Sequence, residues 1–333
     1  MKKGLNTIDL FSGAGGLSCG FEQAGFNILL GTDNNKTALE TFKLNHPDSK
    51  ILLGDISEIS TKDILKTIDH QKIDVIIGGP PCQGFSLAGD RDPKDPRNSL
   101  FKEYLRIVKE IKPKVFIMEN VRGILSMKND SGQKVIDIIL GEFKKLSDYN
   151  VEIFQVNSAD YGVPQRRKRM FLIGISKGHK FQFPHPTHSE TGFSPDGKKI
   201  KKWIGVKNIL KTKSQIDKKY FYSKKLISGF LRREKENSKK GIGFGWQFLR
   251  EDYPSFTISA RYYKDGAEAL IRYNNTYKEG SIRKLTWQEC ALIQSFPKNF
   301  IFSGNERDIY NQIGNAVPPK MAKIIALSLQ AVL

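Results

Sequence analysis

Through the first 176 residues, short β-branched runs alternate with stretches whose apolar residues recur every three or four positions, a pattern that predicts a parallel sheet covered by helices. Residues 7–11 read as the first strand, followed by the turn Ser12-Gly13-Ala14-Gly15-Gly16 and a helix that stops before Gly25. A second strand, 27–32, ends at Asp33, and a helix over 36–44 with Ala38, Leu39 and Phe42 on one face leads to a third strand, 51–53, and Gly54-Asp55. Residues 75–77 form a buried type of strand that runs into Gly78-Gly79-Pro80-Pro81-Cys82-Gln83-Gly84. Leu100, Tyr104, Ile107, Val108 and Ile111 keep helical spacing up to Pro113. A strand at 115–118 then ends in Glu119-Asn120-Val121, and a helix near 135–146 with strands around 151–156 and 170–175 completes the sheet.

From about Lys177 the periodicity weakens, Pro184, Pro186 and Pro195 appear, and Lys and Arg crowd residues 198–240. This predicts a second, basic module, whose Lys-rich part verges on low complexity and suits a mobile loop. Strands are expected near 257–259 and 270–273, a helix over 287–293 and a last helix from 320 to about 332, with no internal repeat.

A chain of 333 residues holds one large α/β domain and a smaller companion with a full core. Its formal charge of +19 points to a polyanionic partner, most simply nucleic acid, over a merely soluble basic protein. The three cysteines, Cys19, Cys82 and Cys290, are spaced for neither a disulfide framework nor a zinc site, which suggests a reducing compartment and an expectation of no metal. No apolar run approaches a membrane span, so the chain reads as intracellular.

In an open parallel sheet, ligands bind beyond the carboxyl ends of the strands. Gly13 to Gly16, Asp33, Asp55, Cys82 and Glu119 each follow a predicted strand closely, so all fall on one edge. The glycine turn lets backbone approach a ligand, and Asp33 lies where nucleotide folds set an acid on ribose hydroxyls. These features favour a nucleoside-bearing cofactor, with NAD and S-adenosylmethionine equally served. Asp55 would serve as well as a helix N-cap. Cys19 and Cys290 lie in helical runs and read as inert packing, whereas Cys82, in a loop punctuated by Gly and Pro, is placed for nucleophilic chemistry. Glu119, if buried, would be a proton donor beside it; otherwise it is a solvated or ion-paired strand-end carboxylate.

Six stretches then occur in one order across nearly the whole chain. They are Asp9-Leu10-Phe11-Ser12-Gly13-Ala14-Gly15-Gly16, Gly79-Pro80-Pro81-Cys82-Gln83-Gly84-Phe85-Ser86, Met118-Glu119-Asn120-Val121, Gln165-Arg166-Arg167-Lys168-Arg169, Arg283-Lys284-Leu285-Thr286 through Phe296-Pro297, and Gln312-Ile313-Gly314-Asn315-Ala316-Val317-Pro318. In this set the sequence resembles the C5-cytosine-specific DNA methyltransferases of bacterial and phage restriction-modification systems. Only residues from about 177 to 280 have no counterpart, and in that family this is the variable target-recognition region.

The resemblance implies a Rossmann-like, doubly wound, mostly parallel sheet that binds S-adenosylmethionine, plus a smaller DNA-recognition domain. Residues 1–176 with 300–333 would form the catalytic domain, and 177–299 the small domain with its hinge segment. It further implies that Cys82 attacks C6 of a flipped-out cytosine while Glu119 holds or protonates N3, that C5 then takes the methyl group, and that loss of the C5 proton expels Cys82. Arg169 would bond the cytosine O2 with Arg167 nearby, although as generic arginines both would also suit phosphates. For the cofactor, Phe11 would lie against the adenine, Ser12, Gly13, Ala14, Gly15 and Gly16 would form the loop, and Asp33 would hold the ribose. Asp55 and Ile56 would meet the adenine edge, Pro80 and Leu100 would wall it, and Asn315 and Ala316 would stand near the methionine end. Asn34 replaces a Trp that stacks on adenine in many relatives, which shifts that task to Phe11. The expected partners are double-stranded DNA and a cognate restriction endonuclease, the expected state a cytoplasmic monomer, and the expected product S-adenosylhomocysteine. The rivals are a tRNA cytosine methyltransferase of the same family, a catalytically silent DNA-binding relative and an NAD-dependent oxidoreductase.

Overall fold

Successive residues of a strand face opposite sides of its sheet, and the first strand shows what each side meets. In β1 (Asn6–Leu10), Ile8 and Leu10 enter one apolar cluster, while Thr7 and Asp9 are buried on the other side. The computed structural model describes residues 4–81, 100–129, 132–241 and 245–333. Cys82, predicted as the nucleophile, lies outside the described residues.

The chain continues through α1 (Gly16–Gln23), β2 (Asn27–Asp33), α2 (Lys36–Asn45), β3 (Lys50–Leu53), α3 (Thr61–Thr67), β4 (Val75–Gly78), α4 (Leu100–Ile111), β5 (Val115–Val121), α5 (Val135–Lys144), β6 (Tyr149–Asn157) and β7 (Lys168–Ser176). Among the described residues these seven strands make one sheet in the order β3-β2-β1-β4-β5-β7-β6. Six strands run in one direction, five of them paired in parallel, and β7 runs antiparallel to both β5 and β6. Ile64 and Ile68, Tyr104, Ile107 and Val108, and Ile139 and Phe143 cover one face, bringing α3, α4 and α5 onto it. Leu17 and Phe21, Leu39 and Phe42, and Met321, Ile325 and Leu329 cover the other, bringing α1, α2 and the last helix, α9 (Pro319–Gln330). The C-terminal helix thus packs beside the first.

The second half adds β8 (His188–Ser189) with β9 (Lys201–Lys202), α6 (Lys224–Lys239), β10 (Leu270–Arg272) with β11 (Ile282–Lys284), α7 (Trp287–Ile293) and α8 (Glu306–Asn315). Ile258, Tyr262, Leu285, Cys290, Ile293, Tyr310 and Ile313 form a third apolar cluster, and Tyr222, Phe230, Trp246 and Leu270 a fourth. Fully buried Arg283 meets both carboxylate oxygens of fully buried Glu289, at 2.8 and 2.9 Å. Glu289 also accepts the backbone N–H of Thr286, so this pair closes the start of α7.

Three local expectations change. Residues 257–259 form no strand; Ser255 makes only an isolated bridge to Gln165, because the backbone here answers to side chains of the Gln165–Arg169 segment. The Lys-rich stretch contains a helix of 16 residues, α6, which buries Ile227 and Phe230 beneath its charged face. Asp55 caps no helix: it accepts from the N–H and hydroxyl of Ser57 in a tight turn, and Ser60 caps α3 instead. No helix among the described residues is long and apolar enough to cross a membrane.

Candidate active site

The register aligns the strand ends. Leu10 pairs with Thr32 and Gly78, Asp33 with Leu53, and Gly78 with Met118. The glycine turn, Asp33, Gly54-Asp55, Gly79-Pro80-Pro81 and Glu119 therefore share one edge of the sheet, as the strand pattern implied.

In the turn, Gly13 has φ +52° and open space where a side chain would project. Its N–H donates to Asp33 Oδ2 at 2.8 Å, and Asp33 Oδ1 accepts from the N–H of Asn35. Burial still pushes the Asp33 carboxyl above its usual range. Gly16 has a different task, since a Cβ there would lie 2.5 Å from the carbonyl oxygen of Val317. It lets the 315–317 turn close on the start of α1. Phe11 is held at φ +61°, a costly conformation for an aromatic residue, and is half-buried on the cluster that also receives Leu100. Ile56 and Pro80 are buried, Ala316 is half-buried, and Asn34, Asp55 and Asn315 are exposed.

This donor set fits an adenosyl group. It offers a partly open carboxylate for ribose hydroxyls, apolar surface at Phe11, Ile56 and Leu100, and free space over Gly13. Among the described residues no cluster of His, Cys, Asp and Glu has the make-up of a metal site.

At the other end of the edge, Glu119 and Arg169 meet. Arg169 pairs with Val121 across the β5–β7 ladder, and its Nε lies 3.0 Å from Glu119 Oε1, with both side chains nearly buried. Glu119 Oε2 would stand 3.3 Å from a Cβ placed on Gly79, which puts the carboxyl over the backbone leading to Cys82. Asn120 Nδ2 donates to the carbonyl of Pro80 at 3.0 Å and ties that same backbone to β5. Burial pushes the Glu119 carboxyl above its usual range, against the pull of Arg169 and Arg167.

The Gln165–Arg169 segment, which turns at Arg166 before entering β7 at Lys168, has two sides. Gln165, Arg167 and Arg169 turn inward, while Arg166 is half-buried and Lys168 exposed. Arg167 is fully buried; its Nη1 donates to the carbonyl of Ile258 at 3.1 Å and its Nη2 to that of Gly314 at 2.7 Å. These bonds leave it bracing the chain, not facing a phosphate. Gln165 donates to Gln294, which donates to the carbonyl of Ala316. Residues 258, 294 and 314–316, which come from three segments, are thus fixed to the strand that carries Arg169. Sequence reasoning missed Gln294, which reads as an ordinary polar residue at the end of a helix. It also missed Asp9, a buried carboxyl bonded to Ser18 Oγ at 2.7 Å and pushed up to about 7 by burial.

Burial also pushes up the remaining described thiols, Cys19 to about 12 and Cys290 well above the ordinary thiol range, so neither is a thiolate at neutral pH.

A seven-stranded, mostly parallel sheet with one reversed strand and helices on both faces is the fold of the S-adenosylmethionine-dependent methyltransferases. The chain belongs to the C-5 cytosine-specific DNA methylase family, whose family model matches residues 5–331. It is 36% identical over 329 residues to the type II methyltransferase M1.HphI of Haemophilus parahaemolyticus, covering 97% of this chain and 86% of that one. It is 38% identical over 334 residues to M1.ScrFI of Lactococcus lactis subsp. cremoris, covering 98% and 78%. Among solved structures, a protein described as a prophage-encoded DNA modification methyltransferase of E. coli superposes with a TM-score of 0.71 at 27% identity, covering 98% of this chain and 99% of that one. The Entamoeba histolytica methyltransferase EhMeth shares the fold, with a TM-score of 0.74 at 20% identity over 99% of each chain. The chain is accordingly a DNA (cytosine-5-)-methyltransferase.

Proposed function

We propose that this enzyme methylates C5 of a cytosine flipped out of a specific duplex DNA sequence, through a covalent bond between Cys82 and C6, as the modification half of a restriction-modification system. The observation that carries the reading is the buried Glu119–Arg169 pair poised over Gly79, three residues before Cys82. A cytosine must leave the stack for its ring carbons to be reached. A protonated Glu119 would donate at N3 while Arg169 stabilises negative charge at O2, and together they would make C6 electrophilic toward the Cys82 thiolate. Two buried guanidiniums against one carboxylate give this pocket a positive balance that suits the charge developing on the ring.

Phe11, Ile56, Pro80 and Leu100 would border the adenine, Ser12 to Gly16 would form the floor, and Asp33 would hold the ribose. Asn315 and Ala316, fixed through Gln294, would define the methionine end; Asn34 and Asp55 would contribute from the exposed rim. When bound, S-adenosylmethionine supplies the methyl group on a sulfonium. The basic residues of 198–240, many of them on α6, would neutralise DNA phosphates. We assign residues 1–176 with 300–333 to the catalytic unit and 177–299 to the recognition unit. In that division α8 is the seam, since its Tyr310 and Ile313 pack with the second unit while the flanking Ser303 bonds to Thr41 of α2.

The test is transfer of labelled methyl from S-adenosylmethionine to duplex DNA by wild type and Cys82→Ala. Transfer by wild type and none by the variant supports the reading. Equal transfer by both would refute the covalent route, and labelling of tRNA without DNA would move the substrate to RNA.

A further inference from the structure

Arg166 and Lys168, on the outward side of the segment that carries Arg169, open into a cleft of about 820 Å³. Its other walls include Trp203, Tyr253 and Phe256. The Arg166 guanidinium lies 5.0 Å from the ring centre of Tyr253 and 4.5 Å from that of Phe256. Contact with two aromatic rings fixes the plane of the guanidinium. Its Nε is buried without a hydrogen-bond partner, and it forms no ion pair among the described residues. The backbone beneath it is equally fixed, because the Arg166 N–H donates to the carbonyl of Ser255 and its carbonyl accepts from Thr257 Oγ1.

The charge of the cleft runs against that of the chain. In a protein of net charge +19, its lining carries three carboxylates, Asp160, Glu190 and Glu268, against two cations, Arg166 and Lys168. Each acid holds a nearby group: Asp160 accepts from Trp203 Nε1, Glu190 from the Tyr253 hydroxyl, and Glu268 from Ser259. A track for phosphates would be uniformly cationic. A fixed guanidinium among carboxylates and the amides of Asn157 and Gln247 has instead the mixed donor and acceptor character of a surface that reads base edges. The planar fork of arginine matches the O6 and N7 acceptors of guanine. Arg166 precedes Arg169 by three residues in the same segment, at most roughly 10 Å away along the chain.

Taking the DNA-methylating activity above as its basis, we propose that this cleft reads a guanine flanking the target cytosine and that Arg166 is the residue that selects it.

The test begins with bisulfite mapping of the methylated sequence in cells expressing the chain. Each guanine of that sequence, other than the target's own pairing partner, is then replaced in turn by 7-deazaguanine, which lacks N7, and methyl transfer is measured. Wild type is expected to lose about ten- to hundredfold in kcat/KM at one flanking position. Arg166→Ala is expected to treat the normal and substituted duplexes alike. Arg166→Met, which keeps the length of the side chain without a donor, should lose the same discrimination. If a variant transfers no methyl, fluorescence anisotropy on the same pair of duplexes reads its discrimination directly. A recognition sequence without a flanking guanine, a wild type indifferent to every substitution, or a variant that binds more weakly but still discriminates would each overturn the proposal. A wild type that methylates no DNA would instead defeat the functional reading beneath it.

Discussion

Arg169 Nε lies 3.0 Å from Glu119 Oε1, bringing the strand that enters the sheet last against the strand end that follows the Gly79-Pro80-Pro81 segment in sequence. The pair is nearly buried, and burial dominates, so Glu119 holds its proton to a higher pH than a free carboxyl would.

From this follows a prediction about pH. A general acid works only while protonated, so kcat/KM should fall as pH rises through the raised pKa of Glu119. Glu119→Gln cannot lose a proton and should lack that alkaline decline, at a kcat about 10²- to 10⁴-fold lower. Steady-state methyl transfer across a pH series, with DNA binding measured alongside, checks both parts. An unchanged decline in the variant would assign the titration elsewhere.

Arg167 should matter for stability before chemistry. Arg167→Met removes two donors and leaves the buried carbonyls of Ile258 and Gly314 without them. The expected cost is about 3 kcal/mol, seen as a drop of several degrees in Tm. A variant as stable as wild type, with only DNA affinity reduced, would return Arg167 to the phosphate-contact reading.

Asp9 yields a prediction with a definite sign. Its carboxyl gives up its proton near 3.8 when unfolded and near 7 when folded. Between those values the folded state holds the extra proton, so native stability falls as pH rises across that window and levels off above it. Asp9→Asn keeps an acceptor for Ser18 and has no such loss. Its Tm should match wild type at about pH 4 and exceed it, by the equivalent of a few kcal/mol, at about pH 8. Thermal unfolding at the two pH values decides; a constant difference would show that Asp9 does not titrate in this range.

The parallel sheet was legible because β1, β2 and β4 are short apolar runs and α4 has an unbroken three-and-four spacing up to Pro113. The common edge was legible because a glycine or an acid follows each of those strands closely. The small module was harder to read. Leu226, Ile227 and Phe230 do mark α6, but lysines and arginines surround them and the pattern reads as charge. Helix α8 was overlooked although Asn305 and Asp308 form a capping box and Ile309, Tyr310 and Ile313 share a face; its motif residues drew attention from its periodicity. The bonds from Arg167 to residues 258 and 314 and from Gln294 to Ala316 join distant segments, and no local spacing encodes such contacts.

The central claim, that Cys82 attacks the target cytosine, is tested most directly by trapping. Duplex DNA carrying 5-fluorocytosine at the mapped target, incubated with enzyme and S-adenosylmethionine, cannot complete elimination, because fluorine replaces the proton that must leave. The account predicts a stable protein–DNA adduct that peptide mass mapping locates at Cys82 and that Cys82→Ala does not form. No adduct from an enzyme that methylates ordinary DNA, or an adduct at another residue, would contradict it.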